Sequence, residues 1–250
     1  MPLQSIAGGS LFVERFGSGP PQVLALHGWG RRGSDFSPAF QGLDALAVDL
    51  PGFGASPPPA HALGAAGYAE LIAPVFASFD EPPLVVGHSF GGRVAVAAEA
   101  AAPGRASGLL LVASPLVRRR GPREGSPLRF RAARWANRRG LLSDGRMEDM
   151  RSRHGSADYR SATGVMRDVL VTVVNESYEA ELATLEVPVW LLWGRDDREV
   201  PVAVAKAAAS IIRAAGGRVD LEVLEGVGHH VPVAAPQALR QSIEAIRGGR

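Results

Sequence analysis

Leu84-Val85-Val86-Gly87-His88-Ser89-Phe90-Gly91-Gly92 reads as an apolar strand that runs straight into a G-x-S-x-G turn. The Ala-rich segment Gly92–Ala102 follows, long enough for a helix and ended by Pro103. A serine on so sharp a strand-to-helix turn is held in a strained backbone conformation, and side chains two positions before and after it would collide. Gly87 and Gly91 remove those collisions. The turn exposes the Ser89 hydroxyl at a helix N-terminus, where positive partial charge favours a developing anion. G-x-S-x-G also arises by chance in a chain with 30 glycines, so the strand before it and the helix after it carry the weight.

Working outward, Val23–Leu26, Ala45–Val48, Leu109–Ala113 and Val189–Trp193 are further near-continuous apolar runs, each closed by Gly, Pro, His, Asp or Ser. Such runs suit strands buried on both faces, as in a parallel sheet covered by helices. Leu11–Phe16 and Val219–Leu224 alternate more and suit positions nearer the sheet edges, and Val202–Ala215 reads as a helix. The pattern predicts an α/β, doubly wound, mostly parallel sheet. Residues 115–186 break the alternation: Val165, Met166, Val169, Leu170, Val173 and Val174 recur at helical spacing with no strand run among them. Residues 1–114 and 187–250 are therefore expected to form the core, and 115–186 a helical lid inserted between two strands, where open α/β sheets carry their ligands. A plain surface excursion covering the core is the alternative.

At 250 residues the chain suits one domain with an insertion and can bury about three quarters of its unfolded surface. It has no Cys, which excludes disulfides, Fe–S clusters, Cys-ligated zinc and a thiol nucleophile. Met1–Ser10 shows no basic residue followed by an apolar core, and no apolar run approaches the roughly 18 residues of a membrane span, so a cytoplasmic, non-membrane protein is expected. Of the 27 basic residues only Lys206 is lysine. Residues 116–160 hold 13 Arg against 5 acidic residues, a window of +8 in a chain whose net charge is +2. A GC-rich coding bias accounts for Arg over Lys, but not for the placement in one stretch.

A serine hydroxyl needs a base, and the base needs an orienting group. Of six histidines, His27 lies in a strand-ending turn, His88 beside Ser89, and His61 and His154 in polar loops. That leaves Gly228-His229-His230, presented after the last strand run. The carboxylate should follow Val189–Trp193, where Asp196 and Asp197 stand adjacent and only one can face the histidine. The order Ser, Asp, His is the one this strand–turn–helix architecture uses. Oxyanion donors, each contributing roughly 3–4 kcal/mol, are expected from the Phe90 N–H and from the Trp29 N–H in His27-Gly28-Trp29-Gly30, with Trp29 and Phe90 also lining the substrate site.

Taken together, Leu26-His27-Gly28-Trp29-Gly30, Asp49-Leu50-Pro51-Gly52-Phe53-Gly54-Ala55-Ser56, Gly87–Gly92, Gly194-x-x-Asp197-x-x-Val200-Pro201 and Gly228-His229 with Pro236 resemble the α/β-hydrolase superfamily across nearly the whole chain. The resemblance selects Asp197 over Asp196 and His229 over His230, so Ser89, Asp197 and His229 are the expected catalytic set. Some members place the acid where Ser114 stands, which leaves Asp197. A serine nucleophile sets the chain apart from haloalkane dehalogenases and epoxide hydrolases, which use Asp. The chain looks most like the pimeloyl-acyl-carrier-protein methyl esterase group of small carboxylesterases, in which lid arginines engage the acidic carrier. Arg118, Arg119, Arg120, Arg129, Arg131, Arg134, Arg138 and Arg139 could do the same here for a carrier or another anionic substrate. Ala234 and Ala235 depart from the pattern, standing where many relatives have an acid before the Pro.

The expectation is a serine hydrolase of small-molecule carboxylic esters, working without metal or organic cofactor and without nucleic acid. C–C bond, amide or perhydrolase chemistry on the same residues, or a non-catalytic ligand-binding protein of this fold, are the alternatives.

Overall fold

The computed structural model describes residues 3–118 and 157–249, together with 135, 136, 139 and 143. Among the described residues eight strands form one sheet: β1 (Leu3–Ile6), β2 (Leu11–Phe16), β3 (Val23–Leu26), β4 (Ala45–Asp49), β5 (Leu84–His88), β6 (Gly108–Val112), β7 (Val189–Gly194) and β8 (Val219–Leu224). Their order is β1-β2-β4-β3-β5-β6-β7-β8. The pairs β1–β2 and β2–β4 are antiparallel and the rest parallel. Every apolar run read from the sequence is a strand. β8 is one edge and β2 lies next to the other, as their alternation suggested; the outermost strand there, β1, has no apolar signature because it is mostly exposed.

The continuous apolar runs have a simple cause. Alternate residues of a strand face opposite sides of a sheet, and here both sides are covered. Leu24, Leu26, Val85, Leu109, Leu111, Leu191 and Trp193 join one core cluster, whereas Val23, Ala25, Leu84, Val86, Leu110, Val112 and Leu192 join the other. On the first face pack α1 (Ala65–Ile72), α2 (Phe90–Ala101) and α6 (Val202–Ala214). The second face is covered by the turn segment around Phe36, Phe40 and Leu43, by α7 (Val231–Ala234) through Val231, and by α8 (Pro236–Gly248) through Leu239 and Ile243.

Among the described residues between β6 and β7 stand α3 (Ala157–Ser161), α4 (Gly164–Val173) and α5 (Glu179–Ala183). The helical reading of 165–174 holds for α4, which buries Val169, Leu170 and Val173, while Val174 lies past its end and is exposed. Two polar clamps tie this segment to the core. Arg93 of α2 donates to the carbonyls of Pro115 and Val173, and the Glu176 carboxylate accepts the Ala65 N–H at the start of α1. Of the window's arginines, Arg119, Arg120, Arg129, Arg131, Arg134 and Arg138 lie outside the described residues, as does His154; Arg118 and Arg139 lie within them.

The chain leaves β3 toward β4 on one side of the sheet and enters β5 on the other, so β3 and β5 are neighbours whose following loops diverge. This is the switch point at which a crevice opens beyond the strand ends. The residues after β3, β5, β7 and β8 all come to that end.

Candidate active site

Ser89 sits between β5 and α2 with φ 50° and ψ −110°, a left-handed backbone conformation that non-glycine residues avoid. The flanking glycines are what allow it. A Cβ on Gly91 would lie 2.1 Å from the Leu26 carbonyl oxygen, and one on Gly87 would lie 2.5 Å from the Gly92 Cα. Both obstacles are backbone and cannot swing aside.

The structure brings Ser89, His229 and Asp197 together from the ends of β5, β8 and β7. Ser89 Oγ lies 3.0 Å from His229 Nε2, and His229 Nδ1 lies 2.8 Å from Asp197 Oδ2. Ionised Asp197 can only accept, so Nδ1 carries the proton and Nε2 is free to accept from the Ser89 hydroxyl. The other carboxylate oxygen of Asp197 accepts the N–H groups of Glu199 and Val200 at 2.9 and 2.8 Å, and the residue is only 4% exposed. Asp196, by contrast, is exposed, as is His230. Asp197 and His229 are thus the buried members of the two adjacent pairs. Burial pushes the His229 imidazole down. The hydrogen bond and charge of Asp197, with the charges of Glu199 and Asp158, more than offset this and leave it above its ordinary value.

The two expected N–H donors, Trp29 and Phe90, follow β3 and β5, the two strands that flank the switch point. Phe90 is the first residue of α2, where helix N–H groups lack an intrahelical acceptor. The Trp29 N–H makes no hydrogen bond to any described residue. Its loop is fixed from below: buried Asp49 accepts the Gly33 N–H with one oxygen and the Ala55 N–H with the other, both at 2.8 Å. The Trp29 ring packs edge-on against Phe53 and Phe90, and Phe90 in turn against Tyr68. Phe90 is buried, whereas Trp29 is partly open.

Sequence reasoning set aside two histidines that the structure shows to be part of the scaffold. His88 Nε2 lies 3.0 Å from the His229 carbonyl oxygen and must donate to it, holding the loop that carries the imidazole. His27 accepts the Leu50 N–H at Nε2, so its Nδ1 donates to the Gly28 carbonyl. Burial is the main cause that pushes both down, His88 to about 3 and His27 to about 4. Both are therefore neutral when folded, and the unfolded chain takes up their protons first. Their contribution to stability is complete above the ordinary value of 6.5 and is lost as pH falls toward 4. His229, Glu14, Glu99 and Asp158, all held above their ordinary values, work in the opposite sense, but through smaller shifts than those of the two buried histidines. At pH 5 the loss is roughly 2 kcal/mol for each buried histidine. Urea midpoints are expected to be clearly lower at pH 5 than at pH 7.5, and equal midpoints would contradict this.

Among the described residues no group of three or more His, Asp or Glu is placed to hold a metal ion. No helix among them is long and apolar enough to cross a membrane.

The model of the alpha/beta hydrolase family matches residues 23–241. The chain belongs to the alpha/beta hydrolase family. Within it, a pimeloyl-[acyl-carrier protein] methyl ester esterase of Aliivibrio salmonicida is 38% identical over 109 residues, a match covering 42% of this chain and only 40% of that relative. Lipase LipV of Mycobacterium tuberculosis is 29% identical over 96% of this chain and 98% of its own. Among solved alpha/beta hydrolase structures, the esterase RhEst1 of Rhodococcus sp. ECU1013 superposes with a TM-score of 0.70 at 22% identity, covering 99% of both chains, which is a likeness of fold. Proteins named as esterases or lipases therefore recur among those the chain resembles.

Proposed function

We propose that this hydrolase cleaves carboxylic esters through an acyl-enzyme on Ser89. The observation that carries the reading is the hydrogen-bonded series Ser89–His229–Asp197, with Oγ and Nε2 3.0 Å apart at the switch point of the sheet. His229 takes the Ser89 proton as Oγ attacks the ester carbonyl, and Asp197 holds the imidazole in the required tautomer and stabilises its charged form. The carbonyl oxygen becomes an oxyanion between the N–H groups of Trp29 and Phe90. His229 then gives its proton to the leaving alkoxide, and water, deprotonated by the same imidazole, releases the acid from Ser89. Trp29 and Phe90 border the acyl group, and the segment 115–186 serves as the lid. The match to pimeloyl-[acyl-carrier protein] methyl ester esterases makes a carrier-linked methyl ester a candidate substrate, with the Arg-rich window as the carrier's docking face.

A common acyl-enzyme has a kinetic signature. With butyrate esters of several alcohols in water containing methanol, the ratio of methyl butyrate to butyric acid is expected to be the same whatever the leaving alcohol. A ratio that changes with the alcohol would rule out the shared intermediate.

A further inference from the structure

Glu199 enters the site on the loop that carries Asp197. Its backbone N–H donates to Asp197 Oδ1, so the turn that places one carboxylate also places the other. Its Oε2 stands 3.8 Å from His229 Nε2, the nitrogen that faces Ser89 Oγ at 3.0 Å. The Glu199 side chain is 61% exposed, so it borders the open side of the site. A second carboxylate, on the inserted segment, lies within range of the Glu199 and His229 charges. Asp158 of α3 is held above its ordinary value by burial and then by the charge of Glu199, against the pull of His229 and His230.

The position of Glu199 relative to the reaction follows from the proton path. A leaving alkoxide that takes its proton from Nε2 must come within about 3 Å of it. Its oxygen then lies within about 7 Å of the Glu199 carboxylate, inside the Debye length at physiological salt. The atoms beyond that oxygen, the alcohol half of the ester, therefore sit in the field of Glu199. We propose that Glu199 makes the site select on the charge of the alcohol half, accepting esters of neutral or cationic alcohols and rejecting those of anionic ones. The inference rests on the ester-hydrolase reading above and adds to it a substrate property. A carrier-linked methyl ester satisfies it, because methanol is neutral and the acidic carrier hangs from the acyl half.

The test uses three butyrate esters of similar size, with choline (cationic), 3,3-dimethylbutanol (neutral) and 3-sulfopropanol (anionic), comparing kcat/KM at low and high salt. The wild type is expected to favour the cationic over the anionic ester by about tenfold at low salt, with the preference shrinking as salt rises. Glu199→Gln is expected to cut that ratio about fivefold, and Asp158→Asn to cut it by less. A second readout separates charge from mere structure. His229 is faced by Asp197, Glu199, Asp158, His88 and His230. Removing the Glu199 charge alone should move the acid limb of kcat/KM for the neutral ester to lower pH. A wild-type ratio near one, or a ratio that Glu199→Gln leaves unchanged, overturns the inference while the hydrolase reading stands. Failure of the wild type to turn over the neutral ester overturns the hydrolase reading and this inference with it.

Discussion

Ser89→Ala is expected to lower kcat on any ester substrate by about five to six orders of magnitude, the scale seen when a serine nucleophile is deleted from a working triad. The substitution removes Oγ and little else. Cβ stays, so the left-handed backbone at φ 50°, stabilised by Gly87 and Gly91, is as strained in the variant as in the wild type. The thermal midpoint should therefore stay within a few degrees, which separates lost chemistry from lost fold. Whatever activity remains would come from the N–H groups of Trp29 and Phe90 and from substrate binding. A folded variant that keeps wild-type esterase activity would show that Ser89 is not the nucleophile.

Asp197→Asn carries the next largest effect, about 10⁴ in kcat. The reason is local. In the wild type one carboxylate oxygen accepts from Glu199 and Val200 N–H and the other from His229 Nδ1. An asparagine must point its NH₂ at one of these. Turned toward the two backbone N–H groups it would set donor against donors, so it turns toward His229. Nδ1 then becomes the acceptor, the proton moves to Nε2, and the nitrogen facing Ser89 can no longer take its hydrogen. The lost charge also lowers the imidazole. Neutral His229 is the active form, so the acid limb of kcat/KM, which in the wild type lies above the ordinary value of 6.5, should shift to lower pH. Asp196→Asn is the control: Asp196 is exposed, and its backbone N–H, bonded to Val227, is untouched. Equal losses in the two variants would contradict the assignment.

Much of this was legible in the sequence because the relevant signals are local. Apolar runs of four or five residues mark strands covered on both faces, and the glycines at 87 and 91 mark a turn whose neighbours are backbone. What the residues alone left open were the choices between neighbours, Asp196 or Asp197 and His229 or His230. Those depend on which side chain turns inward, a property of the packed loop; the family pattern pointed to the buried member of each pair. β1 escaped notice because an exposed edge strand of four residues needs no apolar pattern. Contacts between distant segments were also invisible. His88 bonds to a carbonyl 141 positions away, Glu176 bonds to an N–H 111 positions away, and Glu199 comes to stand beside His229. None of these has a sequence spacing that could announce it.

The measurement that reaches the central claim most directly is labelling of the folded protein with a fluorophosphonate, followed by peptide mass spectrometry. Its phosphorus reacts fastest with a serine hydroxyl that a base deprotonates during attack and that oxyanion donors flank. One adduct per chain, on Ser89, abolished in Ser89→Ala and strongly slowed in Asp197→Asn, is the expected result. An unlabelled protein, or an adduct on another residue, would contradict it.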